Sequence, residues 1–63
     1  MTDVSRAILR MLAGNMTDSE IAFALNLAPA EIEARVQDLT DELSVDTREA
    51  LVAAAIERSI IDL

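Results

Sequence analysis

The side chains able to do chemistry in this chain are carboxylates and guanidiniums, and little else. There is no Cys and no His, which removes thiolate and imidazole ligands, disulfides and the commonest general base. Asp and Glu number 12 against 5 cations, and all five cations are Arg. The adjacent Asp41 and Glu42 are residue types that serve as a general acid and base. No nucleophile, metal-ligand cluster or glycine-rich phosphate loop accompanies them, so neither catalysis nor a cofactor or metal is expected. What remains is ionic recognition. Arg6, Arg10, Arg35 and Arg48 are the candidates for phosphate contacts, Arg6 and Arg10 being four apart on one helix face. Glu31, Glu33, Asp38, Asp41 and Glu42 are the candidates for a face that meets a basic protein surface. The alternative for either set is a solvated surface with no role.

The elements that must position these groups centre on residues 17–45. Ile21, Ala22 and Leu25 mark one amphipathic helix, and Ile32, Val36, Leu39 and Leu43 mark a second at the alternating spacing of one helix face. A short helix, a tight turn and a longer helix make a helix-turn-helix arrangement, whose second helix can enter a DNA major groove. Thr17 and Glu20 form a capping box with Met16 and Ile21 at staple spacing, so helix two begins at Asp18. It stops near Leu25, where Asn26 can take a positive φ. Pro29 suits the first position of helix three, which runs to about Leu43. Its cap is Ala28, a poor one that forgoes about 1 kcal/mol.

Helix one spans roughly residues 3–13 behind Thr2 as N-cap, with Val4, Ile8, Met11 and Leu12 on one face and Gly14 and Asn15 ending it. Asp46 and Glu49 read as a second capping box, placing helix four at roughly 47–59. The expected core is Ile8, Leu12, Ile21, Leu25, Ile32, Val36, Leu39, Leu43 and Leu51. Apolar residues between Leu51 and Ile61 exceed one stripe, which points to a two-fold homodimer through Val52, Ala55, Ile56 and Ser59. Arg48, Glu49, Glu57 and Arg58 would form its polar rim.

Sixty-three residues, 52% hydrophobic with a single Phe, give one small all-helical domain over 1–63 with an aliphatic core. No apolar run reaches the roughly 18 residues of a membrane span, and Met1-Thr2-Asp3 does not open a basic-then-apolar leader, so the cytoplasm is the expected location. A net charge of -7 opposes binding to nucleic acid or an acidic membrane and favours basic protein surfaces. No small-molecule ligand is expected.

The runs Ile8-Leu9-Arg10-Met11-Leu12-Ala13 and Thr17-Asp18-Ser19-Glu20-Ile21-Ala22, then Leu25-Asn26-Leu27, then Ile32, Val36, Leu39, Leu43, Val45, Arg48 and Leu51-Val52, resemble the LuxR/GerE-type helix-turn-helix domain. The resemblance covers nearly the whole chain. It implies a four-helix bundle whose third helix reads DNA and whose fourth makes a dimer contact. The departures lie on the DNA side. Glu31 stands where such domains usually have Thr or a similar neutral residue, and Glu33 and Glu42 stand where they have Lys. Ala28 replaces a Ser cap, and Asn26 replaces a turn Gly.

Two functions follow as expectations. One is a transcription regulator that still binds DNA through Arg6, Arg10, Arg35 and Arg48, weakened by its acidic third helix. The other is a module of the same fold that touches no DNA, and binds or antagonises a transcription regulator through its acidic face or its dimer helix. Counterion release favours the second, since helix three sets Arg35 alone against five acids. An acid accepting from cytosine N4 keeps the first open.

Overall fold

The computed structural model describes residues 1–62. Four helices follow one another: α1 (Asp3–Ala13), α2 (Asp18–Leu25), α3 (Pro29–Leu43) and α4 (Arg48–Glu57), with no strand among the described residues. All four contribute to one aliphatic core. Ile8, Leu9, Ile21, Ile32 and Leu51 are its fully buried large side chains, and Leu12, Val36, Leu39, Leu43 and Ile61 complete it. The spacing-based core therefore stands except at Leu25, which is only half-buried and packs against the edge of the cluster. Leu9, absent from that spacing-based set, is also fully buried.

The starts of the helices follow side-chain oxygen chemistry. The Thr2 hydroxyl accepts from the Ser5 N–H at 3.1 Å. At α2 the box is complete: the Glu20 N–H donates to Thr17 Oγ1 at 3.2 Å, and the Thr17 N–H donates to Glu20 Oε1 at 2.8 Å. Pro29 opens α3 behind Ala28, which offers no side-chain bond. The expected box of Asp46 and Glu49 is a correction. Thr47 is the cap, accepting from the Ala50 N–H at 3.0 Å, and α4 begins at Arg48. A hydroxyl one residue closer to the helix displaces the carboxylate.

One device ends all four helices. Asn15, Asn26, Ser44 and Ser59 each adopt a left-handed backbone, with φ of 62°, 57°, 59° and 58°. The next residue in each case donates its N–H five residues back: Met16 to Met11, Leu27 to Ala22, Val45 to Thr40 and Ile60 to Ala55. This is the Schellman closure, whose companion is an apolar residue after the left-handed one. Met16, Leu27, Val45 and Ile60 are those residues, and all four are half-buried against the core. Gly14, the only glycine, has φ of -85° and leaves the left-handed position to Asn15. The same closure shortens α4. Ser59 turns the chain at the point where continuation to residue 59 was expected, and this returns Ile60 and Ile61 to the core.

Shortening α4 changes its exposed face. Ala55 is fully buried in its own domain, and Ser59 lies beyond the helix in a left-handed turn. Ala55 therefore has no outward surface for the dimer strip expected of it, while Ser59 stays exposed beyond the helix. Val52 and Ile56 are half-buried, packed against the same core. Much of the apolar content of this segment is absorbed within the chain, because α4 packs against α1 and α3 and the residues after it fold back. No helix is long and apolar enough to cross a membrane among the described residues.

Candidate interaction faces

The third helix sorts its charges by position. Ile32, Val36, Leu39 and Leu43 are buried, and Thr40 joins them with its hydroxyl donating to the Gln37 carbonyl at 2.8 Å. Glu31, Arg35, Asp38 and Glu42 follow one another at four, three and four residues, a single flank stripe. Gln37 and Asp41 share the outward ridge, where the Gln37 amide donates to Asp41 Oδ1 at 3.2 Å. Glu33 lies on the other flank, near enough to Arg48 to favour its charged form. All five acids of this helix are exposed.

Arg35 is the only cation of α3, and its guanidinium is already engaged. Nε and Nη2 donate to Glu31 Oε2 at 3.3 and 3.2 Å, an i,i+4 pair in the favourable order with the acid nearer the N-terminus. Glu33, Asp38 and Glu42 have no ion-pair partner among the described residues. The helix thus faces outward with net negative charge, and Ala28 adds no capping group at its start.

The other predicted phosphate ligands stand on α1 and at the start of α4. Arg48 is bidentate to Asp18, with Nη1 to Oδ1 at 2.6 Å and Nη2 to Oδ2 at 3.0 Å, a clasp between the starts of α4 and α2. Arg6 stands 3.9 Å from Asp3 on exposed surface, a pair worth little. Arg10 has no side-chain partner among the described residues and sits in the last turn of α1, where the helix dipole favours a cation. Arg58 donates from Nη2 to the Leu43 carbonyl at 3.3 Å, serving the C-terminus of α3. Of the residues expected at a dimer rim, Arg58 thus has one nitrogen engaged within the chain and Arg48 has two. Of Arg6, Arg10, Arg35 and Arg48, the first two stand on α1 and the last two are bonded to carboxylates.

The Arg48 clasp has a pH signature. The bond from Arg48 holds the Asp18 carboxyl below its ordinary value, against an opposing desolvation effect. Folded Asp18 therefore binds its proton less tightly than unfolded Asp18. The stability this provides is fully present above the ordinary carboxylate range near pH 4 and is lost as pH falls through the lowered value. Both side chains are partly exposed, so Asp18→Asn is expected to cost about 0.5–1 kcal/mol at neutral pH. The gap in melting temperature between the two proteins should close as the pH falls below the ordinary carboxylate range and through the lowered value. A gap independent of pH would show that the clasp is not what the substitution removes.

An open cleft of about 420 Å³ lies between the end of α1, the α1–α2 turn and the start of α4. Leu12, Ala13, Met16 and Val52 make its walls apolar, and Arg48 and Glu49 are its charged members. Since Arg48 is committed to Asp18, the cleft contributes one uncommitted carboxylate, which gives no pair of groups for proton transfer. Asp41 and Glu42 are exposed on α3 and do not line this cleft.

A further feature escaped the sequence reading. Phe23, the only aromatic residue, is 91% exposed on α2. The signal was present in the helical period: Phe23 lies two residues from both Ile21 and Leu25, hence on the opposite side of the helix from the core. No family model, no curated protein and no solved structure matches this chain.

Proposed function

We propose that this chain is a transcription-regulation module of the LuxR/GerE helix-turn-helix type that acts by contacting another protein and not by reading DNA. The observation that carries the reading is the state of α3. Its single guanidinium is bonded to Glu31, while Glu33, Asp38 and Glu42 stand exposed without ion-pair partners among the described residues. Bringing that surface to a duplex would set uncompensated carboxylates against phosphates and release no counterions. Against a basic protein surface the same charges steer association and reject acidic competitors. The intended partner is the basic DNA-binding face of a regulator, which the acidic helix occupies.

A homodimer through α4 is not needed for this activity. A stable interface buries about 800 Å² on each partner, a fifth of the 4071 Å² that the chain exposes. The half-buried Val52 and Ile56 do not supply that.

The test is a charge reversal. Glu33→Lys with Glu42→Lys moves the net charge from -7 by +4 to -3. The wild type is expected to show no saturable binding to duplex DNA at low salt up to about 10 μM, within the range where ordinary non-specific binding appears. The double variant is expected to lose a protein partner captured by the wild type in its native cell. Wild-type DNA binding that weakens steeply with added salt would overturn the reading.

A further inference from the structure

Residues 21–30, Ile-Ala-Phe-Ala-Leu-Asn-Leu-Ala-Pro-Ala, carry no charge, in a chain that is 27% charged. The fold does not bury this run. Only Ile21 and Ala22 enter the core, while Phe23, Ala24, Asn26, Ala28, Pro29 and Ala30 are exposed. Phe23, between Ala22 and Ala24 in sequence, is 91% exposed, far beyond Met1 at 44% and Val4 at 38%. A lone exposed apolar side chain is ordinary. An aromatic knob within an uncharged run and bracketed by acids is the anatomy of an anchor with a charged rim.

Acids bracket the run at both ends, Asp18 and Glu20 before it and Glu31 and Glu33 after it. Of these, Glu20 and Glu33 have no cationic side chain bonded to them among the described residues. The capping bond from the Thr17 N–H holds the Glu20 carboxylate one turn before Phe23. A second copy of this chain would bring the same acids against these and is disfavoured by its own charge of -7. A nucleic acid would meet the same rim with phosphates. The chemistry that fits is an apolar pocket large enough for a phenyl ring and edged by Lys or Arg.

We propose that Phe23 is the anchor by which α2 and the α2–α3 turn dock into an apolar pocket on a basic protein. This rests on the protein-contact reading above and assigns it a specific contact. Phe23 contributes the buried area, Glu20 one turn away on the same helix and Glu33 on the flank of α3 the negative charge, and Ala24, Ala28 and Ala30 the close approach of the partner's backbone. The exposure of Phe23 makes the proposal separable from folding, since removing a solvated side chain leaves the core intact.

The experiment places the photo-crosslinker p-benzoylphenylalanine at position 23 of the full chain and, in a separate protein, at position 37 on the outward ridge of α3. Both are irradiated in the native cell. The expected result is that position 23 captures a basic protein. Purified, that protein should bind the wild type with an affinity that falls as salt is added. Phe23→Ala should weaken the complex at least about thirtyfold while its melting curve matches the wild type. Glu20→Gln with Glu33→Gln, which keeps the capping geometry, should mainly slow association. Capture from position 37 but not from position 23, capture only of a second copy at 23, or an unchanged affinity in Phe23→Ala each overturns the anchor and leaves the protein-contact reading standing; a salt-insensitive complex overturns both. Capture from neither position overturns both.

Discussion

Ala55→Glu is expected to leave the chain without stable helical structure at room temperature. Ala55 is fully buried between its helix and the rest of the core, beside Leu51 and Ala54. Its carbonyl accepts from the Ile60 and Ile61 N–H groups at 2.8 and 3.3 Å, so the same residue closes α4 and seats the returning segment. A glutamate there must either bury an unpaired carboxylate or force the helix away from its neighbours, and each costs several kcal/mol. A domain of 63 residues has about 3–9 kcal/mol in total. Far-UV circular dichroism of Ala55→Glu beside Ala53→Glu, which places the same charge on an exposed position, separates core from surface. A folded Ala55→Glu protein would move Ala55 out of the core and restore it to an outward face.

This site also shows where sequence patterning runs out. Apolar spacing was enough to locate α1, α2 and α3 and most of the core, because each has a single buried stripe bounded by polar residues. In α4, residues 51–56 are continuously apolar, so spacing does not say which side is inward. The direction is set by tertiary contacts and by the end of the helix. That end was itself hard to read, because Ser44 and Ser59 take the left-handed conformation that sequence patterns reserve for Gly and Asn. The apolar residue after each is the better signal. Met16, Leu27, Val45 and Ile60 must be drawn to the core, and the preceding residue accepts the strained backbone that makes this possible.

The candidate faces were legible to different degrees. The acids of α3 are exposed as their spacing requires, since the stripe of Ile32, Val36, Leu39 and Leu43 fixes the opposite side. The arginines were less legible because pairing across the fold is not a local property. Asp18 and Arg48 lie 30 residues apart and meet only once α2 and α4 have packed. Arg58 reaches the Leu43 carbonyl for the same reason. A count of cations does not reveal such pairings, and the helix with the most acids keeps its only guanidinium bonded to one of them.

Leu39→Ala is expected to lower the melting temperature by about 10–25 °C, from a loss of about 2–4 kcal/mol at some 4–8 °C per kcal/mol for so small a domain. Leu39 is 4% exposed and stands midway along the α3 stripe, between Val36 and Leu43. Truncation removes its transfer free energy and leaves a void that neighbouring side chains can close only in part. The helix-forming tendency of alanine offsets only a few tenths of a kcal/mol of this. Collapse around the void is limited because α3 packs against α1, α2 and α4 together, so movement toward one neighbour opens a gap at another. Asp38→Ala, one residue away and exposed, is the matched control and should shift the transition little. If the two variants melted alike, the inward face of α3 would have to be rotated. The acids Glu31, Asp38 and Glu42 would then turn toward the other helices, and the outward negative face on which the protein-contact reading depends would be lost with the core.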